Sequence, residues 1–176
     1  ARAAVPAIPG LVEAGFLTNE TVFTLTELPP RLAVIGGGPI GCELAQAFVR
    51  LGAYVSLIEG GGTLLPNEDK DASRLIQEAL IQDGVTLHLN AMVSHVTFHK
   101  GEKVVGFNVG GVKQQVAGDA ILVAVGRSPN VEGLGLSAAG IDSDPRGIIV
   151  NELLQTTNPC VYTAGDCCMT HKFTHV

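Results

Sequence analysis

The sequence predicts an α/β fold in which a parallel sheet is combined with a three-stranded antiparallel meander. Short apolar runs at residues 32–35 and 53–58 are typical of strands buried on both faces of a parallel sheet. A segment with helical character separates them, as in a β-α-β unit. Three further short strands, joined by turns that contain glycine, follow in the middle of the chain and favour the meander.

A glycine-rich turn joins the first strand to the helix. Gly36, Gly38 and Gly41 have the spacing G-x-G-x-x-G, and the whole turn is formed by Gly36, Gly37, Gly38, Pro39, Ile40 and Gly41. The first glycine allows the tight turn, the second lets a pyrophosphate approach the backbone, and the third lets the helix pack on the strand. Free N–H groups and the helix dipole attract a diphosphate to the same place. The pattern therefore predicts a Rossmann-like three-layer fold that binds a dinucleotide, although a glycine turn that merely packs tightly is the structural alternative.

An acidic residue ends the second strand. Glu59 follows Gly41 by 18 positions (59 − 41), near the spacing of an acid that accepts hydrogen bonds from an adenosine ribose. A carboxylate repels a 2′-phosphate, and the following residues 60–62 are glycines that supply no arginine to offset it. The sequence therefore predicts that NAD(H) is preferred over NADP(H).

The remaining elements follow in order. A helix is expected after residues 66–69, capped by Asn67 or Asp69, with the glycine at position 84 ending it. Strands are then predicted at residues 85–89, 93–98, 104–109, 113–116, 119–125, 148–150 and 161–164.

Pro- and Gly-containing segments suggest three regions. Residues 1–30 have the composition of a connector, and the segment from Gly126 to Asn130 interrupts the strand pattern. We therefore expect a connector at 1–30, a dinucleotide-binding domain at 31–126, and a separate region at 127–176.

Charge and composition exclude several classes of function. The net charge is −6 without any block of basic residues, which argues against nucleic acid and anionic membranes as partners. No apolar run approaches the roughly 18 residues of a membrane span. The four cysteines include no C-x-x-C pair, so we expect a reducing cytoplasm.

One cluster near the end of the sequence contains residue types that can bind a metal ion. Cys167, Cys168, His171 and His175 lie within nine positions and include ligand types suited to Zn²⁺ or Hg²⁺. Their spacing matches no zinc motif, so we predict no metal site. Cys42, at the start of the first helix, could have a pKa lowered by the helix dipole, but a small residue there more often packs on the sheet.

Four motifs in order resemble the flavin-dependent pyridine nucleotide–disulfide oxidoreductases: VIGGGPIGCELA, SLIE, VAVGRSPN and NPCVYTAGD. The LTELPPRLAVIGGG entry and the KFTHV ending are most similar to the mercuric reductase and dihydrolipoamide dehydrogenase branch. In such enzymes NAD(P)H reduces FAD, which passes electrons to a cysteine pair and then to a disulfide or a metal ion such as Hg²⁺, or runs in reverse from dihydrolipoamide.

The resemblance also implies roles for individual residues, none of them catalytic. The glycine turn would hold the NAD(P)H pyrophosphate, Glu59 the adenosine ribose, and the Val93 backbone the adenine. Glu43, placed in the first helical turn, and Gly126 would lie toward the nicotinamide. The FAD-binding residues implied are Asp166, Phe173, Thr174 and His175.

Other motifs of the resembled family are missing from the sequence. Its FAD fingerprint and redox C-x-x-x-x-C would precede Ala1, and its dimerisation domain would follow Val176. The resemblance therefore implies a central fragment of a longer, homodimeric enzyme, with residues 1–30 and 127–176 as parts of an incomplete FAD domain. We expect this fragment to bind NAD(H), but not FAD tightly, and to lack reductase turnover. The alternative is a free-standing dinucleotide-binding module without turnover.

Overall fold

The computed structural model describes residues 1–99 and 101–169. They form two compact units. The larger unit is Val5–Gly126, and the smaller unit combines Ala1–Ala4 with the described residues from Arg127 onward. Residues 5–30 thus share a unit with residues 31–126, and the assignment of the flanks to an FAD domain stays a prediction.

The secondary structure of the described residues is as follows. The strands are β1 (Arg2–Ala3), β2 (Arg31–Ile35), β3 (Tyr54–Ile58), β4 (Thr86–His88), β5 (Ala91–His99), β6 (Glu102–Val109), β7 (Val112–Gly118), β8 (Ala120–Val123), β9 (Arg127–Ser128), β10 (Ser143–Asp144) and β11 (Gly147–Ile148). The helices are α1 (Leu11–Ala14), α2 (Pro39–Arg50) and α3 (Lys70–Gln82), with 3-10 turns at Val22–Thr24 and Ser137–Ala139.

The larger unit has three layers around a parallel sheet. The sheet has the strand order β4-β3-β2-β8, and all adjacent strands in it are parallel. Because side chains alternate along β2, Leu32 and Val34 join the core on the side of α2 and α3. Ala33 and Ile35 join a second core against the antiparallel sheet β5-β6-β7, where Phe107 is fully buried. The predicted fold class, a parallel sheet with a three-stranded meander, is confirmed.

Local sequence explains where the helices begin. α2 begins at Pro39, because the fixed φ of proline suits the first helical position and its missing N–H needs no partner there. The prediction that this helix begins at Cys42 and carries Glu43 in its first turn is therefore wrong, since Glu43 is its fifth residue. α3 is capped by Asp69, whose carboxylate accepts hydrogen bonds from the Asp71 and Ala72 N–H groups.

The turn between β6 and β7 follows from its two glycines. Gly110 and Gly111 have φ of +56° and +86°, which is the left-handed conformation that a two-residue hairpin turn needs. β5 carries a register irregularity between Val93 and His95 where it pairs with β6.

The smaller unit has little regular structure among its described residues. β1 pairs with β9 and β10 with β11, each over two residues. The predicted strands at 148–150 and 161–164 are largely wrong, because only single bridges join Val150 to Thr156 and Gln155 to Tyr162. The chain turns directly after Val150, where Leu154 has φ of +62° and its N–H donates to the Asn151 carbonyl at 3.0 Å. Within the ranges that the structure describes, no helix is long and apolar enough to span a membrane.

Candidate functional site

The glycine turn lies at the carboxyl edge of the parallel sheet. Ile35, the last residue of β2, is level with Ile58 of β3 and with Val123 of β8. The strand order changes direction between β2 and β8, which is the position where open α/β sheets bind their ligands.

Two glycines of the turn are required by close packing against backbone atoms of the same chain. Gly36 has φ of +108°, and a Cβ there would lie 2.5 Å from the Ala124 carbonyl oxygen. A Cβ at Gly41 would lie 2.0 Å from the Gly36 carbonyl oxygen. These two positions therefore have glycine so that the turn, the helix and β8 can pack closely.

The two middle glycines differ from each other. A Cβ at Gly37 would lie 2.6 Å from Leu64 Cδ2 and 3.0 Å from Glu59 Oε2. Gly38 has φ of −75°, which any residue adopts, and its Cβ would meet no atom within 4 Å. No contact in the described part of the chain explains glycine at position 38, whereas a ligand that approaches this backbone would.

The N-terminus of α2 provides hydrogen-bond donors beside this open space. Gly38 is the N-cap, no side chain caps the helix, and Cys42 N–H makes a helical bond to the Gly38 carbonyl at 3.0 Å. The N–H groups of Ile40 and Gly41 precede that bond and have no intrahelical acceptor. Together with the dipole of this 12-residue helix, they favour an anionic group at Gly38.

Glu59 is held in place by two backbone N–H groups. Its Oε2 accepts from Gly37 N–H at 2.6 Å, and its Oε1 accepts from Gly61 N–H at 2.6 Å. The carboxylate thereby joins the glycine turn to the loop after β3, and its remaining lone pairs are available to a ligand.

Sequence reasoning missed the way this loop is anchored. Leu65 N–H donates to the Gly37 carbonyl at 2.9 Å, and Leu64 is fully buried. The buried Ser73 hydroxyl donates to the Leu64 carbonyl and lies 2.8 Å from Thr63 Oγ1. The two leucines after a glycine run were the available signal, since apolar residues in so short a loop indicate packing rather than solvation.

The other predicted dinucleotide residues lie at separate places in the larger unit. Glu43 is exposed on α2, and Gly126 is exposed with φ of +132°, a conformation that favours glycine. Val93 is half-buried against the core between the parallel sheet and the antiparallel sheet, and it pairs with Phe107. Their contacts with a ligand stay predictions.

The predicted FAD residues belong to the smaller unit or lie outside the described ranges. Asp166 forms an ion pair with Arg127, whose Nη1 lies 3.0 Å from its Oδ2. This pair gives Arg127 a carboxylate partner. Phe173, Thr174 and His175 lie outside the described residues, as does His171.

The cysteines do not form a recognisable reactive site. Burial, followed by the nearby charges of Glu59 and Glu43, raises the pKa of Cys42 to about 11, so its thiol is a packed group rather than an activated one. Cys167 Sγ lies 3.0 Å from Thr163 Oγ1, and Cys168 Sγ donates to the Thr163 carbonyl at 3.4 Å. Across the described ranges, no group of three or more His, Cys, Asp and Glu side chains is placed to hold a metal ion.

His88 is a half-buried titratable group beside the site. Its carbonyl accepts from Glu59 N–H at 2.8 Å, and its ring packs on Phe107 with the centroids 4.9 Å apart. The Nε2 atom is buried without a hydrogen-bond partner among the described residues. Burial therefore lowers the pKa of His88 below its ordinary value of about 6.5.

We expect His88 to make the fold less stable in mild acid. Its folded-state pKa lies below the unfolded one, so the unfolded chain binds more protons, and stability falls as the pH drops through about 6.5 toward the folded-state pKa. Urea unfolding at pH 7.5 and 5.5 should show a smaller loss for His88→Gln than for the unaltered chain. His99→Gln, at an exposed position, is the control, and equal losses in both variants would contradict the assignment.

Comparison with known proteins decides the family. The model of the pyridine nucleotide-disulphide oxidoreductases matches residues 1–176. The chain belongs to this family. It is 41% identical over 150 residues to dihydrolipoyl dehydrogenase of Bacillus subtilis, covering 85% of this chain and 32% of that protein. It is 38% identical over 182 residues to mercuric reductase of Staphylococcus aureus, covering 100% of this chain and 32% of that protein.

A solved structure agrees with this membership. The Cu(II) complex of the HOCl-induced flavoprotein disulfide reductase RclA from Escherichia coli matches with a TM-score of 0.88 and 34% identity, over 99% of this chain and 39% of that one. The family indicated by the sequence motifs is confirmed. The chain spans about a third of the length of the curated relatives it matches.

Proposed function

We propose that the larger unit of this family member binds NAD(H) within a flavin-dependent oxidoreductase. The complete enzyme would pass hydride from NAD(P)H to FAD and onward to a disulfide or a metal ion such as Hg²⁺, or run in reverse from dihydrolipoamide. The observation that carries the proposal is Gly38, which is open, has a backbone conformation any residue adopts, and lies beside first-turn N–H groups that have no intrahelical acceptor. The similarity to mercuric reductase and dihydrolipoyl dehydrogenase supports the two candidate substrate classes.

The residues present fit the charge pattern of a dinucleotide. The α2 N-terminus offers donors to a pyrophosphate, and Glu59 offers acceptor lone pairs to the hydroxyls of an adenosine ribose. The Val93 backbone is proposed for the adenine, and Glu43 and Gly126 for the nicotinamide side. When bound, the nicotinamide ring supplies hydride chemistry, while these residues bind and orient the dinucleotide.

The proposal also covers the FAD-binding residues, the oligomeric state, the compartment and the partners of the complete enzyme. Asp166, Phe173, Thr174 and His175 are assigned to FAD in the complete enzyme, which we expect to be a cytoplasmic homodimer. Neither nucleic acid nor a membrane is proposed as a partner, given the net charge of −6.

Direct titration tests the proposal. NADH should bind the folded 176-residue chain saturably at one site, and NADPH should bind about tenfold more weakly because its 2′-phosphate meets the Glu59 carboxylate. Calorimetry gives both dissociation constants. A folded chain that binds neither cofactor would contradict the proposal, and tighter binding of NADPH would contradict the assignment of Glu59.

Glu59→Gln should reduce the preference for NADH. The neutral amide removes the repulsion of the 2′-phosphate. Its NH2 group cannot accept from a backbone N–H as the carboxylate oxygen does, so the substitution also removes one of the two bonds that hold the side chain toward the ribose hydroxyls. A hydrogen bond to a charged group contributes about 1.5–3 kcal/mol, so we expect the ratio of the two dissociation constants to fall from about tenfold to about one. The measurement is the same pair of titrations. Glu78→Gln removes one carboxylate from the exposed face of α3 and should leave the ratio unchanged; a fall of the same size there would contradict the role of Glu59.

A further inference from the structure

The segment between β4 and β5 holds the loop that carries Glu59. Asn90 has φ of +52°, a left-handed conformation that is uncommon for residues other than glycine. Its N–H donates to the Gly61 carbonyl at 2.8 Å, and the next residue, Ala91, donates to the Glu59 carbonyl at 2.9 Å. The turn at Asn90 thus aims two consecutive N–H groups at the backbone of residues 59 and 61.

The same loop is also packed from the side. A Cβ added at Gly62 would lie 3.2 Å from Asn90 Oδ1, and one added at Gly60 would lie 3.0 Å from Met92 Sδ. A Cβ added at Gly61 would lie 3.1 Å from Glu59 Oε1. Gly62 therefore fits closely against Asn90, Gly60 against Met92 of β5, and Gly61 against the Glu59 carboxylate, so a side chain at any of these positions would push against its neighbour.

These contacts connect the Asn90 turn to the Glu59 carboxylate. Gly61 accepts from Asn90 through its carbonyl and donates to Glu59 Oε1 through its N–H at 2.6 Å. A shift of the turn would move the backbone of Gly61, and with it one of the two N–H groups that orient the carboxylate. The other, Gly37 N–H, would remain on Oε2.

We propose that Asn90 is a positioning residue that orients Glu59 through the backbone of Gly61 and thereby sets the discrimination between NADH and NADPH. This inference rests on the proposed function, since it concerns the selectivity of the same site. Asn90 acts through its left-handed backbone, which asparagine tolerates and β-branched residues strongly disfavour. Glycine adopts this conformation without strain, so it should replace asparagine here.

The test is a pair of variants that differ in their access to this conformation. For Asn90→Val, we expect the dissociation constant of NADH to rise about tenfold and that of NADPH to change by less than about twofold, so that the preference collapses. For Asn90→Gly, we expect the preference to stay within about twofold of the unaltered chain. Both constants come from calorimetric titration, with circular dichroism to establish that each variant is folded. Asn90→Ala, which is less strained than valine at this position, takes its place if the valine variant does not fold.

The outcomes separate the two hypotheses. The unaltered protein could bind NADH while the folded valine or alanine variant keeps its full preference for NADH over NADPH. That result would overturn the role of Asn90 and leave the proposed function intact. A glycine variant that loses the preference as completely as the valine variant would overturn the conformational argument. Failure of the folded, unaltered chain to bind NADH would overturn the proposed function and this inference with it.

Discussion

Gly38→Ala is expected to weaken NADH binding by roughly ten- to a hundredfold while the free energy of unfolding changes by less than about 1 kcal/mol. The added methyl group would occupy the space where we propose that the pyrophosphate approaches the backbone. Overpacking of a close contact typically costs about 1–3 kcal/mol, which corresponds to this loss of affinity. Binding is measured by calorimetric titration and stability by urea unfolding.

The stability of the Gly38 variant follows from its surroundings. A Cβ at this position meets no atom within 4 Å, and φ of −75° strains no residue. The loss of a glycine N-cap disfavours the helix slightly, whereas the reduced freedom of the unfolded chain favours the fold by a similar amount. Unchanged affinity for NADH in this variant would contradict the assignment of Gly38 to the ligand.

Gly41→Ala, in contrast, is expected to destabilise the fold itself. We expect it to lower the free energy of unfolding by about 2–3 kcal/mol or more. Its Cβ would lie 2.0 Å from the Gly36 carbonyl oxygen and 3.1 Å from the carbonyl carbon. These are backbone atoms of the tight turn, so α2 must move away from β2 to accommodate the methyl group. Urea unfolding monitored by circular dichroism measures the loss.

The two alanine substitutions control for each other. They make the same chemical change three positions apart in one turn, and the structure separates a ligand role from a packing role. If the Gly41→Ala variant is as stable as the unaltered chain, then α2 does not pack closely on the Gly36 carbonyl. An equal loss of stability in both variants would show that Gly38 is also required for packing.

The centre of the fold could be predicted because its signals are local. Strand, glycine turn, helix and strand follow one another between residues 31 and 59, and each is encoded within its own segment by apolar runs or glycines. The meander was equally accessible, since Gly110 and Gly111 specify its second hairpin.

Contacts between distant segments could not be predicted from the sequence. The bonds from Leu65 to Gly37 and from Asn90 to Gly61 join residues about 28 positions apart, and no periodicity encodes them. The glycine pattern predicts that Pro39 belongs to the turn and that α2 starts at Cys42, but proline also suits a first helical position and the helix begins there. In the smaller unit, apolar residues at 148–150 resembled a strand, but pairing partners decide whether such a segment forms one.

The most direct test of the central claim is calorimetric titration of NADH into the folded 176-residue chain. The proposed site predicts saturable binding of one NADH per chain, with the affinity reduced roughly ten- to a hundredfold by Gly38→Ala. Absence of saturable binding, or binding that Gly38→Ala leaves unchanged, would contradict the claim that the glycine turn of this chain is a dinucleotide site.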